Sequence, residues 1–408
     1  MTYSARIPYG AYWSTPFAKW QGSLAHLHSI RFAAHVAERE LAARGVAAEA
    51  FDYAILGMTI PQHQSFYGTP WLTGLMGADG LGGPTINQAC ATGTRALLTA
   101  AQEINAGLAE TVLIMTCDRT SNGPHVYYPN PEGPGGTGIS ENWVMDNFSC
   151  DPLGGHAMIT TAENVAAKHG ISTEQQHSVV LRRQDQYGDA LKNKRAFQRR
   201  YMTLPFEVPS ANYRKAAGML DGDEGISTST KESLAGLKPI IKGGTLTYAA
   251  QTHPADGSAA MIVTTPGCAA ELSRDKNIII EILGFGSART KLAFMPEATI
   301  PAAWRALDQA GLTIGDMDAI KSHNPFAVND IVFARETGAN LETMNNFGSS
   351  LIWGHPQGST ALRSMIELIE ELALRGGGTG LFQGCAAGDT AMAVVLRVRD
   401  QQRTKRTG

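Results

Sequence analysis

Two short apolar runs, over residues 53–58 and 111–116, flank a stretch of small and apolar residues at helical spacing over 90–106. Gly107 gives that helix its stop. This strand, helix, strand rhythm is the strongest constraint the chain carries, and it argues for an α/β domain. Strand signals recur at 259–264 and 278–282. Beyond them come a helix over 301–310, the end of a short strand over 319–322, a long amphipathic helix over 359–374, a glycine-rich turn over 375–380 and an apolar strand over 391–398. The second half therefore repeats the rhythm of the first, although no residue-level repeat is visible. Residues 121–138 are dense in Pro and Gly and read as a loop; helices follow at 161–169 and 173–187. The stretch from about 120 to 245 looks inserted between two strands of the first half. With 408 residues the chain is too long for one compact core, and the expected division is 1–268 and 269–408.

Composition narrows the function. Hydrophobic residues at 43% and charged residues at 17% describe a soluble globular protein. A net charge of −3 supplies no field for attracting nucleic acid or a membrane, and the basic tail over 397–406 reads as a solvated terminus. Residues 1–15 lack a signal pattern, and no apolar run is long enough to span a bilayer. Cysteines 90, 117, 150, 268 and 385 are scattered and odd in number, without C-x-x-C spacing. Neither a structural metal nor a disulfide framework is expected, and a reducing cytoplasm fits best. In that setting a cysteine within a strong motif is expected to be reactive.

Four segments carry candidate chemistry. In residues 87–96, Asn-Gln-Ala-Cys-Ala-Thr-Gly-Thr-Arg-Ala, Cys90 follows an extended segment at the mouth of a helix. Unpaired N–H groups and a partial positive charge there favour a thiolate, the nucleophilic form; the competing reading is a buried small hydrophobe. His355 lies between Gly354 and Pro356, with Gly358 beyond, just ahead of the long helix. That turn suits an oriented base better than a packing residue. Cys385 closes a short strand and precedes small residues, which let a backbone approach a ligand closely. His323 and Asn324 close another strand. The last two signals are weak alone.

Taken in order, these segments resemble the thiolase family over nearly the whole chain. Further matches are Thr-Pro-Phe at 15–17 with Gly-Ser-Leu at 22–24, Thr-Ala-Glu-Asn-Val-Ala at 161–166, Gly-Gly-Thr at 243–245 with Asp256 and Gly257, and Gly-His-Pro-Gln-Gly at 354–358. The resemblance implies a layered αβαβα core of two similar halves, the first carrying the insertion. It implies thiolytic cleavage of a 3-oxoacyl-CoA, or the reverse Claisen condensation. Cys90 would be the nucleophile and His355 its base, and Cys385 would move a proton at the α-carbon. One oxyanion hole would use the N–H groups of Cys90 and Ala387, the other His355 with His323. Met158, Thr252 and Phe326 would touch substrate. Coenzyme A enters as a substrate, with no metal or resident cofactor, and a homo-oligomer is implied.

Departures from the family gather around the acyl and pantetheine contacts. The usual Asn-Glu-Ala-Phe is His-Asn-Pro-Phe at 323–326, and Cys-x-Gly-Gly-Gly becomes Cys-Ala-Ala-Gly-Asp at 385–389. Tyr248 and His253 replace small residues, and Ile159 follows Met158. The insertion adds Tyr127, Tyr128, Trp143 and Phe148, and Trp353 stands beside the histidine turn. These aromatics either fill the insertion's own core or shape a pocket for a bulky acyl group. In overall character the chain resembles benzoylsuccinyl-CoA thiolases, in which a thiolase subunit pairs with a small OB-fold partner. The alternatives are an ordinary short-chain acetoacetyl-CoA thiolase and a non-catalytic acyl-CoA-binding homologue. A fatty-acid or polyketide condensing enzyme is disfavoured by Cys385.

Overall fold

Covering both faces of a sheet requires strands that are apolar along their whole length, and the runs around residue 113 and residue 260 meet that demand. The computed structural model describes residues 3–402. Its main sheet contains β1 (Arg6–Pro8), β2 (Tyr53–Gly57), β3 (Thr85–Ile86), β4 (Thr111–Arg119), β5 (Ala255–Thr264), β6 (Ile278–Arg289), β7 (Ala319–His323), β8 (Gly377–Ala386) and β9 (Thr390–Asp400). Their spatial order is β7-β8-β9-β6-β1-β5-β4-β2-β3, and Tyr12–Ser14 and Ala18–Lys19 pair along β5. Pairing is parallel for β4-β2-β3 and for β7-β8, and antiparallel elsewhere along that order. The two halves join through β1, where Arg6 pairs with both Thr264 and Glu281.

β4 and β5 pair continuously from Arg119↔Asp256 to Thr111↔Thr264. Residues 120–254 thus leave the sheet at one strand and return at its neighbour. The region read as loop at 121–138 contains a strand, His125–Tyr128, which forms a hairpin with Ile139–Asn142. Its Pro and Gly residues build the connection between the two strands, as turn chemistry requires. The helices that bear on the site are α1 (Thr92–Asn105), α2 (Met158–His169), α3 (Thr173–Arg195), α4 (Thr299–Ala310), α5 (Ala327–Thr337) and α6 (Gln357–Arg375), and a further helix, Ser29–Arg44, packs on β4 and β5. Residues 192–194 inside α3 depart from helical angles. No helix among the described residues is long and apolar enough to cross a membrane.

The long helix differs most from its sequence pattern. Instead of showing water a polar face, α6 is buried continuously from Gln357 to Leu372. It packs on β4 and β5 of the first half and on β7 and β8 of the second. Its charges go inside because each finds partners. The Arg363 guanidinium donates to Asp223 at 2.6 and 2.8 Å and to Glu367 at 3.1 Å. It also lies over the rings of Phe17 and Trp353, 4.7 and 4.3 Å from their centroids. Lys321 donates to Glu367 at 3.1 Å, and the Tyr12 hydroxyl donates to Glu370 at 2.7 Å. Without such partners each buried charge would cost several kcal/mol.

Two smaller differences follow at the C-terminal end. Gly376, at φ 84, caps α6, and the glycines read as a turn at 377–380 already belong to β8. The basic tail is not solvated throughout: Arg397 and Arg399 lie in β9, and Arg399 meets Glu281 at 2.5 Å. Its end, beyond Gln402, lies outside the described residues, as do Met1 and Thr2.

The first turn of α1 runs directly against α6. A Cβ added at Gly93 would lie 2.8 Å from the backbone nitrogen of Leu362 and 3.1 Å from the carbonyl oxygen of Gly358. Gly93→Ala should therefore destabilise the protein by about 1–3 kcal/mol through overpacking. Gly188→Ala, in α3 with open space around it, should add up to about 1 kcal/mol through helix propensity. Urea unfolding of both variants checks the pair; a neutral Gly93→Ala would show that the two helices can separate freely.

Candidate active site

The turn that presents Cys90 is built from its neighbours. Ala89 sits at φ 45, a conformation that costs a non-glycine residue of order 1–3 kcal/mol. Thr92 holds it: its hydroxyl donates to the Ala89 carbonyl at 2.7 Å and accepts from the Gln88 N–H at 2.9 Å. Cys90 is thereby placed half-buried, just before α1 starts.

His355 arrives from the other half of the chain. Its N–H donates to the His253 carbonyl at 2.9 Å, and its Nδ1 meets the Thr360 hydroxyl at 2.6 Å. That leaves Nε2 facing Cys90 Sγ at 3.1 Å. Gln357 Oε1 lies 3.4 Å from the same sulfur, from a residue held at φ 22. His323, at the end of β7, packs its ring on that of His355 with centroids 4.1 Å apart. Its Nδ1 meets Ser350 Oγ at 2.8 Å, while its buried Nε2 has no partner. The facing atoms of Cys90, His323 and His355 all lie within 4.8 Å of one another.

Cys385 stands near the end of β8, fully buried, with Asn329 Nδ2 3.3 Å from its sulfur. Ala387, one turn on, has its N–H directed at Cys90 Sγ, as is the N–H of Cys90 itself.

Burial governs the electrostatics. It pushes the Cys90 thiol up to about 12, against the pull of the two N–H groups, and Asp118 pushes the same way as burial. It lowers His355 to about 3, helped by the nearby His253, and it holds His323 well below the usual histidine value, helped by His355. Cys385 is raised by burial and by the proximity of Cys90. At rest the site holds neutral thiols and neutral imidazoles. At Cys90 desolvation works against the thiolate that the helix terminus favours.

A cavity of about 760 Å³ opens onto this cluster. Cys90, His355, Ala387, Met158, Thr252 and Phe326 line it, whereas His323 and Cys385 lie behind its wall. The aromatics divide. Trp143 and Phe148 line the cavity, and the indole N–H of Trp143 donates to the Thr59 carbonyl at 3.1 Å. Tyr127 and Tyr128 are exposed on the hairpin, and Trp353 belongs to the core around Arg363. Tyr248 faces solvent and His253 backs onto Gly354. The Asp389 carboxylate is spent on the backbone N–H groups of Ala293 and Phe294.

Comparison with known proteins identifies the family. Residues 11–266 match the family described as thiolase, N-terminal domain, and residues 276–398 match thiolase, C-terminal domain. The chain belongs to the thiolase family. It is an acyltransferase of that family. It is 28% identical over 393 residues to an acetyl-CoA acetyltransferase of Syntrophomonas wolfei subsp. wolfei, covering 94% of this chain and 96% of that one. It is similar to the crystal structure of human mitochondrial 3-ketoacyl-CoA thiolase, with TM-score 0.87 and 26% identity over 96% of this chain and 98% of the other. The same human thiolase in complex with CoA gives TM-score 0.87 and 25% identity, over 97% and 99%. The thiolase fold expected from the motifs is thus the fold observed.

Several residues of this thiolase's site have no place in the sequence reading. Gln357 stood inside the Gly-His-Pro-Gln-Gly motif and could have been picked out there. Ser350, Thr360 and Asn329 act through side-chain pairings that spacing does not reveal. Asp118 accepts from the N–H and hydroxyl of Thr59 and from the N–H groups of Ile60 and Gly358, at 2.8–3.0 Å, tying the cavity wall to the histidine turn. Burial raises its carboxyl to about 6.

A raised thiol pKa leaves little thiolate at neutral pH and more as pH climbs. Alkylation of Cys90 by iodoacetamide should therefore accelerate throughout the range from about pH 7 to pH 10. Peptide mapping against the exposed Cys150 measures it. A plateau already reached near neutrality would mean a thiolate–imidazolium pair at rest.

Proposed function

We propose that this thiolase cleaves a 3-oxoacyl-CoA with coenzyme A, or runs the reverse Claisen condensation, through an acyl thioester on Cys90. The observation that carries the reading is the 3.1 Å approach of His355 Nε2 to Cys90 Sγ at the floor of a cavity, beneath the Ala387 N–H. With its proton on Nδ1 and given to Thr360, His355 offers Nε2 as acceptor for the thiol proton. The sulfur then attacks the 3-oxo carbon, and the N–H groups of Cys90 and Ala387 receive one developing oxyanion. Cleavage of the carbon–carbon bond releases an acetyl-CoA enolate, whose α-carbon takes the proton of Cys385. The Cys385 thiolate regains a proton and His355 gives one up, so that both are neutral again. Free coenzyme A then gives its proton to His355 and attacks the acyl-Cys90 thioester, and the expelled Cys90 thiolate takes that proton back.

His323 serves the thioester oxygen of that enolate. This role needs a proton on Nε2, which has no other partner, and therefore needs Nδ1 to accept the Ser350 hydroxyl proton at 2.8 Å rather than leave it to Asn324 Oδ1. Resting neutrality is compatible with this cycle, because the thiolate forms only as the base accepts its proton in the attack itself. A module that merely binds acyl-CoA needs no such converging set.

The acyl group is proposed to be bulky, because the cavity of about 760 Å³ is walled by the rings of Trp143 and Phe148 beside the apolar Met158, Ile159 and Phe326. Acetoacetyl-CoA would leave one ring-sized site unfilled. A loss of about 3 kcal/mol there lowers kcat/KM by about two orders of magnitude relative to an aryl 3-oxoacyl-CoA. Equal use of both substrates would make this an ordinary short-chain thiolase. A homo-oligomer belongs to the same reading, supported by the apolar surface that Phe66 and Tyr67 expose.

Two variants test the roles. Cys90→Ser should reduce thiolysis to background. Cys385→Ala should slow carbon–carbon cleavage by roughly a hundredfold to ten-thousandfold while Cys90 can still be acylated by an acyl-CoA, visible as an added acyl mass. A Cys385→Ala protein that folds but never takes the acyl group would place Cys385 in the first step instead.

A further inference from the structure

The cavity wall says more about the acyl group than its size. We infer that the acyl part of this cavity takes a neutral group and discriminates against an acyl chain bearing a second carboxylate. This deepens the thiolase reading and rests on it for what the cavity holds.

Among the described residues, the lining contains no Lys or Arg; its one carboxylate is Asp151. A second fixed carboxylate, Asp118, lies directly behind Thr59 and Ile60, whose N–H groups it accepts. The imidazole of His355 is kept neutral by burial and is engaged with Cys90. Much of the hydrogen-bonding capacity of the wall is also committed. The Thr59 hydroxyl donates to Asp118, the Thr252 hydroxyl to the Ser350 carbonyl at 2.5 Å, and the Ser149 hydroxyl to the Met145 carbonyl at 2.6 Å. The Asn147 amide donates to Glu141 and to the Trp143 carbonyl, and the Trp143 indole to the Thr59 carbonyl. Around these stand Ile60, Val144, Phe148, Met158 and Ile159. An ionised carboxylate entering here loses water and meets only neutral groups, such as the amides of Asn87, Gln251 and Gln357, with no cation; the charge it faces is that of Asp151, with Asp118 behind the wall. A neutral aromatic or branched chain loses nothing comparable.

In benzoylsuccinyl-CoA the group passed to a thiolase cysteine is the neutral benzoyl, and the free carboxylate leaves with the other thioester, so the discrimination inferred here applies to a carboxylate carried by the acyl group itself.

The test uses unreactive thioethers of one shape on the full-length wild-type protein: S-[3-(4-carbamoylphenyl)propyl]-CoA and S-[3-(4-carboxyphenyl)propyl]-CoA, which lack the carbonyl that could acylate Cys90. Dissociation constants by calorimetry at neutral pH should differ at least about tenfold in favour of the carboxamide. Asp151→Asn keeps an acceptor for the N–H groups of Leu153 and Gly154 while removing the charge, and should narrow the gap. Equal or tighter binding of the carboxylate by the wild-type protein overturns the inference. Thiolysis of the corresponding carboxamide 3-oxoacyl-CoA is measured alongside. Equal binding with turnover sinks the charge discrimination alone, whereas a tenfold gap with no turnover of any 3-oxoacyl-CoA sinks the thiolase reading and leaves the discrimination standing.

Discussion

The active site depends on how closely the first turns of two buried helices approach. Gly93 in α1 lies against Leu362 and Gly358 in α6 at a separation that leaves no room for a side chain. Cys90 immediately precedes the first helix and His355 the second, so this contact between the halves sets the distance between thiol and imidazole. The Thr92 hydroxyl fixes the Cys90 turn from one side, and Thr360 orients the His355 ring from the other. The buried charge net of α6, with Arg363 held by Asp223 and Glu367, ties that helix to the insertion. Helix position and ring orientation are thus set by packing and by hydrogen bonds outside the reacting atoms, as preorganised catalysis requires.

The same burial keeps the site neutral. Desolvation raises both thiols and lowers both histidines, overriding what a helix terminus offers a thiolate. In such surroundings charge that develops during reaction interacts strongly with fixed donors, here the N–H groups of Cys90 and Ala387 and the ring of His323. The cavity extends this economy of charge to the acyl group, where the wall offers apolar surface and hydroxyls already in use.

How much of this the sequence disclosed follows from where the information lies. The Cys90 and His355 turns were legible because their determinants are local: a helix start in one case, two glycines and a proline in the other. The α/β rhythm was legible because strand and helix periods survive in short windows. Cys385 and His323 were picked out through family resemblance, since neither local signal is strong; their burial behind the cavity wall was no part of that reading. The interior burial of α6 was not legible: its charged face resembles a solvated one until Asp223, Lys321 and Tyr12 are brought to it from elsewhere in the chain. The position of Trp353 beside His355 left it open between core and pocket, and its ring is taken by Arg363. The hairpin at 125–142 was hidden by the turn residues that connect its strands.

The central claim is that the two halves meet to form one covalent catalyst centred on Cys90. Rapid quenching of the wild-type protein during turnover of a neutral aryl 3-oxoacyl-CoA, followed by peptide mapping, examines it most directly. The account predicts a burst of acyl-enzyme, with the acyl mass on the peptide containing Cys90 and none on that containing Cys385. Turnover without an acylated Cys90, or with the acyl group on another residue, would contradict it.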